Sequence, residues 1–320
     1  MNWLGQRMLV IGTGEIAAQV IEHMKIAHDK SEVVGCLRIS EQHDICVDPE
    51  MCVGSYDDLK QMLDCLSVSV LLIADYDLPK ETVLKLLGKP YLRHLTIVQC
   101  LSPHQDPYWN CGLHTYKNLR YCLLTQHPMS TTLRICKRFG DVLLSFVALL
   151  FLSPMLLVLC LLIGKDPIYK QERVGRRGKR FIIYKLRTMC INAEKKGPML
   201  SSQEDKRITT IGRFLRKYRI DEFPQFYNVL KGDMSLIGPR PERWFYFKKI
   251  TSIEPEAYLL LNIRPGITSM GMVKYGYASN VDMMLTRLQY EKVYYQHATW
   301  CTELAVFANT CKTIVKGRGV

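Results

Sequence analysis

Asp221 and Glu222 stand side by side between two groups of cations, within the stretch ITTIGRFLRKYRIDEFPQFYNVLKGDMSLIGPRPE at residues 208–242. Arg213, Arg216, Lys217 and Arg219 precede the pair, and Arg240 follows it between Pro239 and Pro241. Two carboxylates among fixed cations suit phosphoryl chemistry. One can attack phosphorus, the other can hold a divalent metal, and guanidinium groups can neutralise phosphate oxygens. Adjacent side chains on a helix diverge by about 100°, which gives two acids separate roles rather than one shared proton. A carboxylate of ordinary pKa is ionised at pH 7, so Asp221 as nucleophile needs no separate base. Taken without its surroundings, the pair would be explained as well by helix capping or by pairing with Arg219.

The neighbouring elements must aim these groups. A short helix over residues 213–218 delivers Arg213, Arg216 and Lys217, and Pro224 stiffens the backbone just beyond the pair. In Gly-Pro-Arg-Pro, Gly238 is expected to take an unusual backbone angle, and the prolines hold Arg240 ready for bidentate phosphate contact. Residues 169–188 read as a hairpin whose turn carries Gly175 and Gly178 around Arg176 and Arg177. Lys185 and Arg187 share one strand face by period-two alternation and are expected to face substrate phosphates, with Arg176 and Arg177 on the lipid surface. Residues 190–206, with Gly197-Pro198 and Ser201-Ser202, read as a polar loop. Residues 281–295 read as an amphipathic helix, with Met284, Leu288 and Val293 either on the membrane beside Trp300 or in the core.

Residues 142–163 form an uncharged run of 22, long enough to cross a bilayer. Ser153-Pro154 sits in its middle, where proline removes a helical hydrogen bond. Basic residues flank both ends, Lys137 and Arg138 before and Lys165, Lys170 and Arg173 after. Both ends therefore prefer the cytoplasmic side, and the expectation is a helix-break-helix hairpin in one leaflet; a kinked span is the alternative. Lys137, Arg138 and Asp141 are expected at the headgroups.

The first part of the chain has a different character. Residues 7–11 read as a buried strand, followed by GTGEIA with Gly12, Gly14 and Ala17 in a GxGxxA arrangement, then a helix and a second strand at residues 32–39. This is a Rossmann-type strand–turn–helix–strand pattern, in which Gly12 and Gly14 could form a nucleotide loop. The acid expected at the end of the second strand is missing; Arg38 stands there and Glu41 comes later. A scaffolding or regulatory role is therefore the alternative to cofactor binding. Strands at residues 68–74 and 94–98 and helices at 56–66 and 80–87 complete the module, and residues 100–133 read as its end and a linker.

The second part of the chain is similar to the bacterial sugar transferase family, the monotopic-type phosphoglycosyl transferases, over residues 134–320. KRFGD at 137–141, RVGRRGKRFIIYKLRTM at 173–189, RIDEFPQ, GPRP and RPGIT at 264–268 carry the resemblance. It implies transfer of a sugar-1-phosphate from a UDP-sugar to undecaprenyl phosphate with release of UMP, the initiating step of surface polysaccharide biosynthesis. It also implies Asp221 as the carrier of a covalent phosphosugar, Mg2+ on Glu222, substrate phosphates on Lys185, Arg187, Arg213, Arg216 and Arg240, and a re-entrant helix broken at Ser153-Pro154. The implied location is the cytoplasmic face of the bacterial inner membrane, with its lipid as a partner. Larger members carry a Rossmann-like module, usually after several membrane helices that are not seen here. At 269–280 the chain has SMGMVKYGYASN where many members have a tryptophan and an Asn-Gly-Arg run, which leaves the sugar open.

The expected fold is α/β: a Rossmann-like parallel-sheet domain (1–125), a linker (126–136), a re-entrant helix (137–164) and a small α+β catalytic domain (165–320). Charge follows the same division. Residues 1–130 hold 11 Lys and Arg against 15 Asp and Glu, a net of −4, and the rest hold 32 against 15, a net of +17. Such a field favours phosphate-bearing partners. The membrane segment and the lack of a DNA-binding motif argue against nucleic acid. A Rossmann oxidoreductase or nucleotide-sugar-modifying enzyme is the competing reading, and it leaves the basic half unused. The 12 cysteines contain no CxxC, as expected of a reduced, cytosol-facing protein, and no cleavable signal is read at the N-terminus. Homo-oligomerisation is left open.

Overall fold

The structure is a computed structural model that describes residues 6–26, 31–40, 45–191, 193, 197, 199 and 205–317. Glu41, Pro198, Ser201 and Ser202 lie outside the described residues. The chain divides into two compact units, residues 1–126 and 127–320.

In the first unit, β1 (Arg7–Ile11) leads into α1 (Glu15–Ile26) and β2 (Glu32–Arg38), then β3 (Cys52–Ser55), α2 (Leu59–Cys65), β4 (Val70–Ile73), α3 (Lys80–Lys85) and β5 (Thr96–Leu101). These strands are parallel in the order β3-β2-β1-β4-β5. Every residue of β4, and all of β1 but Arg7, is buried. Such continuous apolar strands are typical of a sheet covered on both faces. Residues 100–133, read as the end of the first domain and a linker, hold two strands that the sequence reading did not name. They add β6 (Leu113–Tyr116) and β7 (Leu119–Leu123), and β7 pairs antiparallel with both β5 and β6. Short strands with mixed polarity at an edge leave little period-two signal to read.

The second unit opens with α4 (Thr131–Ile163), whose N-cap Ser130 accepts a hydrogen bond from the Leu133 amide. The helix runs without interruption through Ser153 and Pro154, so the expected break is not seen as a gap in helix. It also begins inside the stretch read as a linker. An 18-residue window within it has mean hydropathy 2.9 and none of it is buried. Lys137, Arg138 and Asp141, expected at the headgroups, are engaged by the protein instead. Lys137 Nζ lies 2.6 Å from Glu303 and 3.6 Å from Asp141. Arg138 donates to the carbonyls of Val229 and Met234, and Asp141 accepts from Ser235 Oγ at 2.6 Å. These groups fasten the helix to the rest of the unit.

The remainder is α+β. The β8 (Ile168–Val174) and β9 (Arg180–Leu186) strands form an antiparallel hairpin. Then come α5 (Thr210–Lys217), α6 (Gln225–Lys231), β10 (Ser235–Ile237), α7 (Trp244–Ile253), β11 (Gly266–Thr268), α8 (Met270–Lys274), α9 (Val281–Gln296) and α10 (Trp300–Val315). The short β10 and β11 pair in parallel. Met284, Leu288, Tyr294 and Tyr295 bury α9 in the core, leaving Val293 and Trp300 exposed.

Candidate functional site

The β8–β9 hairpin forms one wall of the site. Tyr169 stands opposite Lys185 in the ladder. Tyr169, Gln171 and Arg173 alternate along β8 and reach one cleft together with Lys185 and Arg187. Asn228 locks α6 against this wall: its amide donates to the Ile182 carbonyl at 2.6 Å and its oxygen accepts from the Tyr184 amide at 3.2 Å. The turn just before α6, where the acid pair lies, is thereby brought toward Lys185.

A second contact sets α5. The Thr209 amide donates to the Thr188 carbonyl, and a Cβ on Gly212 would come within 2.1 Å of that same oxygen. Only glycine allows the helix this close, and the approach lets Arg216 Nε donate to Thr188 Oγ1 at 2.8 Å. Arg219 then takes a left-handed conformation (φ 56°), rare outside glycine, and reverses the chain into a 3₁₀ turn, Ile220–Glu222, that carries both acids. The third wall is the Gly-Pro-Arg-Pro loop. Gly238 has no positive φ, contrary to expectation; its need for glycine is the Arg264 carbonyl, 2.3 Å from where a Cβ would stand. Arg173 donates to the Pro241 carbonyl, and Glu242 pairs with the buried Arg287, so the loop is held from behind.

These elements enclose a cleft of about 180 Å³. Asp221 and Glu222 are both buried at its floor, yet their partners differ. Glu222 Oε1 lies 2.6 Å from Lys185 Nζ and 3.5 Å from Arg240 Nη2, and Oε2 lies 3.8 Å from Arg219 Nη1. Among the described residues Asp221 makes no side-chain hydrogen bond or ion pair. The electrostatics diverge accordingly. Burial pushes the Asp221 carboxyl up to about 6, with the neighbouring Glu222 charge adding to it and Lys185, Arg216 and Arg219 pulling against it. Burial acts the same way on Glu222, but Lys185, Arg219 and Arg240 outweigh it and hold that carboxyl well below the usual range. At neutral pH one acid is a clamped counter-ion, and the other is an anion under strain with no partner.

Asp221, Glu222, Lys185, Arg187, Arg216 and Arg240 all line the cleft. Arg187 stands at its rim, donating to the Asp166 carbonyl and lying over the Tyr169 ring. Arg213 does not join them; it is exposed and outside the lining. Gly212 and Leu215 mark the buried side of α5, and the helical period rotates Arg213 farther from that side than Arg216. Gly12 and Gly14 belong to the first unit. The cleft also contains Arg219, named above as a flanking cation, and Arg173, Arg207, Tyr246 and Tyr277, which the sequence reading did not assign to it. For Arg173 a signal existed in the alternation of β8. Arg207 is aimed by Asp205, which its guanidinium contacts through both carboxylate oxygens.

Comparison with known proteins identifies the family of the second unit. The family model described as bacterial sugar transferase matches residues 132–317. A UDP-N-acetylgalactosamine-undecaprenyl-phosphate N-acetylgalactosaminephosphotransferase of Aeromonas hydrophila is 38% identical over 188 residues, 57% of this chain and 44% of that protein. An undecaprenyl-phosphate galactose phosphotransferase of Salmonella typhimurium is 34% identical over 261 residues, 74% of this chain and 52% of that protein. A UDP-glucose:undecaprenyl-phosphate glucose-1-phosphate transferase of Escherichia coli is 32% identical over 196 residues, 59% of this chain and 42% of that protein. The chain thus spans about half the length of these curated relatives. With the family match covering more than half of its residues, and the motif cations and acids gathered in one cleft, the chain belongs to the bacterial sugar transferases.

Proposed function

We propose that the protein moves a sugar-1-phosphate from a UDP-sugar to undecaprenyl phosphate, releasing UMP, as the initiating step of surface polysaccharide assembly. The observation that carries this reading is the asymmetry of the acid pair: Glu222 is paired with cations, closely through Oε1 and loosely through Oε2, and Asp221 is buried among cations without being bonded to any. A carboxylate in that state is suited to attack. Asp221 would form a bond to the β-phosphorus of the donor as the bond to the bridging oxygen breaks, and UMP would leave with that electron pair. A phosphate oxygen of the acceptor would then form a bond to the same phosphorus, and the bond to Asp221 would break, restoring the carboxylate. Lys185, Arg216 and Arg240 would stabilise the charge on the phosphoryl oxygens, with Arg187 at the rim.

Mg2+ fits the site only in company with substrate. Among the described residues no three acidic, His or Cys side chains form a metal cluster, and Glu222 Oε1 is already engaged. Glu222 Oε2, with its looser contact, would hold the ion while the donor's phosphate oxygens complete the shell, a common arrangement for this metal. The ion would neutralise charge on the diphosphate.

The fastening of α4 supports a re-entrant path at the cytoplasmic face of the inner membrane. Lys137, Arg138 and Asp141 bind its start to the catalytic unit, and residues 164–167 return the chain to β8, which pairs with the strand carrying Lys185. Four residues span at most about 14 Å, against about 30 Å of hydrocarbon. A bend at Pro154 within continuous helix would reconcile the two. Cysteines placed on either side of Ser153-Pro154 should be labelled from the same face; labelling from opposite faces means a span. For the first unit we propose a scaffolding or regulatory role.

The deciding experiment incubates the detergent-purified protein with Mg2+ and a panel of UDP-sugars, without acceptor, and records the intact mass. A gain of one sugar-phosphate, absent in Asp221→Asn and abolished by EDTA, is expected and would name the sugar. UMP release that needs the acceptor and leaves no adduct on rapid quenching would overturn the covalent route.

A further inference from the structure

At the foot of α4 a small, separate cavity collects positive charge that nothing in the proposed catalytic cycle uses. His127, Arg134, Arg138 and Arg264 line it, and it shares no residue with the catalytic cleft. Its cations are not equivalent. Arg138 is consumed by backbone carbonyls, and Arg264 Nε donates to the Gly232 carbonyl. Arg176, from the β8–β9 turn, approaches the same group, its Nε donating to the Asn262 carbonyl. Arg134 makes no side-chain hydrogen bond or ion pair among the described residues. His127 Nδ1 accepts from the Met129 amide at 3.1 Å, which leaves the proton of the neutral ring on Nε2 as a donor.

The crowding shifts the titration of its members. Burial, then Arg176, Arg134 and Arg264, press the His127 imidazole down to about 3, so it stays neutral. Burial and the neighbouring arginines likewise bring Arg176 down to about 10. The carboxylate lining this cavity is Asp141, already bonded to Ser235 and close to Lys137. Like charges gathered without a matching anion are costly, and an anion with several acceptor oxygens would relieve them. The position indicates where that anion comes from. Arg134 lies one helical turn before Arg138, and the exposed apolar side chains of α4 follow from Phe139 and Leu143 onward. Given that α4 lies in lipid, this is the level of the headgroups.

We propose that Arg134, Arg176, Arg264 and the Nε2–H of His127 form a binding site for the phosphate of a membrane phospholipid, separate from the site of the acceptor. The test uses the full chain extracted from nanodiscs containing phosphatidylglycerol and read by native mass spectrometry. One retained phosphatidylglycerol is expected on the wild type. Arg134→Gln, which removes a side chain without structural hydrogen bonds, should lower its occupancy about tenfold, the scale of one charge-assisted contact. Arg134→Lys should restore part of it, and millimolar inorganic phosphate should compete. Undiminished occupancy in Arg134→Gln would overturn the site, and protection by inorganic phosphate with no lipid retained would overturn the lipid assignment. Because the readout is a retained lipid, failure here is distinguishable from failure of the catalytic reading, and vesicle flotation checks the placement of α4 independently.

Discussion

The turn after β1 and the turn before α6 both look like phosphate sites in sequence, and the structure separates them. At the first, Gly12 donates to the Leu37 carbonyl, and a Cβ there would come within 2.6 Å of the Ala74 carbonyl. Close approach of β1 to β4 accounts for the glycine without any ligand. At the second, two buried acids and several cations cannot be accounted for by packing. Burying charge costs several kcal/mol per ion unless it is paired, and Asp221 remains unpaired. A glycine pattern satisfied by neighbouring backbone is weak evidence of function; a buried anion that the fold leaves without a bond is strong.

The largest test of that contrast is Asp221→Asn. Turnover should fall by about 10⁴-fold or more, the scale seen when a nucleophile is removed. Stability should move the other way. A carboxyl raised from 3.8 to about 6 by folding makes the folded anion less favourable by roughly 3 kcal/mol at neutral pH. Its contribution is fully present below about pH 4 and is lost as pH rises through 6. The Asn variant should therefore melt higher than wild type at pH 7.5. A lower melting temperature would mean that the carboxylate is a structural partner after all.

Next comes the clamp. Lys185→Met leaves Glu222 buried with its nearest cation gone, which should destabilise the second unit by about 3–5 kcal/mol and lower turnover at least about 100-fold. Arg213→Ala, from the same basic sequence block, should stay within about 0.5 kcal/mol of wild type and keep its activity. Equal losses in the two variants would show that the cleft is drawn wrongly on the side of α5.

The difference between Lys185 and Arg213 also marks how far sequence reading reaches. The acids, Arg240 and the alternating face of the hairpin were legible because each depends on residue type and local period. Arg213 was not, because the side of α5 that faces the cleft is set by a tertiary contact, Gly212 on Thr188. Gly238 was chosen correctly for the wrong reason: its constraint is the Arg264 carbonyl, far along the chain, not its own φ. The role of Lys137 depends on Glu303, 166 residues away, and no local pattern encodes such a pair. In the first unit the parallel strands were legible as apolar runs, whereas the β6–β7 hairpin was hidden by short, mixed-polarity segments.

A smaller effect is expected from pH. Adduct formation from the UDP-sugar alone should lose a factor of about ten per unit below pH 6 as Asp221 protonates. Glu222, held low by its cations, should contribute nothing until far more acidic conditions. Leaving out the acceptor avoids its own phosphate ionisation near pH 6. An acid limb near pH 4 would place Asp221 in a more solvated setting than the cleft provides.

The smallest effects return to the first turn. Gly12→Ala places a Cβ against the Ala74 carbonyl at φ 121°, so the first unit should lose about 1–3 kcal/mol. At Gly14 a Cβ meets nothing within 4 Å, so Gly14→Ala should cost a few tenths of a kcal/mol. If the turn only packs, both variants should form the Asp221 adduct at the wild-type rate, and only Gly12→Ala should shift the first unit's melting. If it holds a nucleotide, Gly14→Ala would crowd the backbone amides that such a ligand needs, and a change in adduct rate or in nucleotide-dependent melting would appear without loss of stability. The pair thus tests glycine for close packing against glycine for a ligand within a single turn.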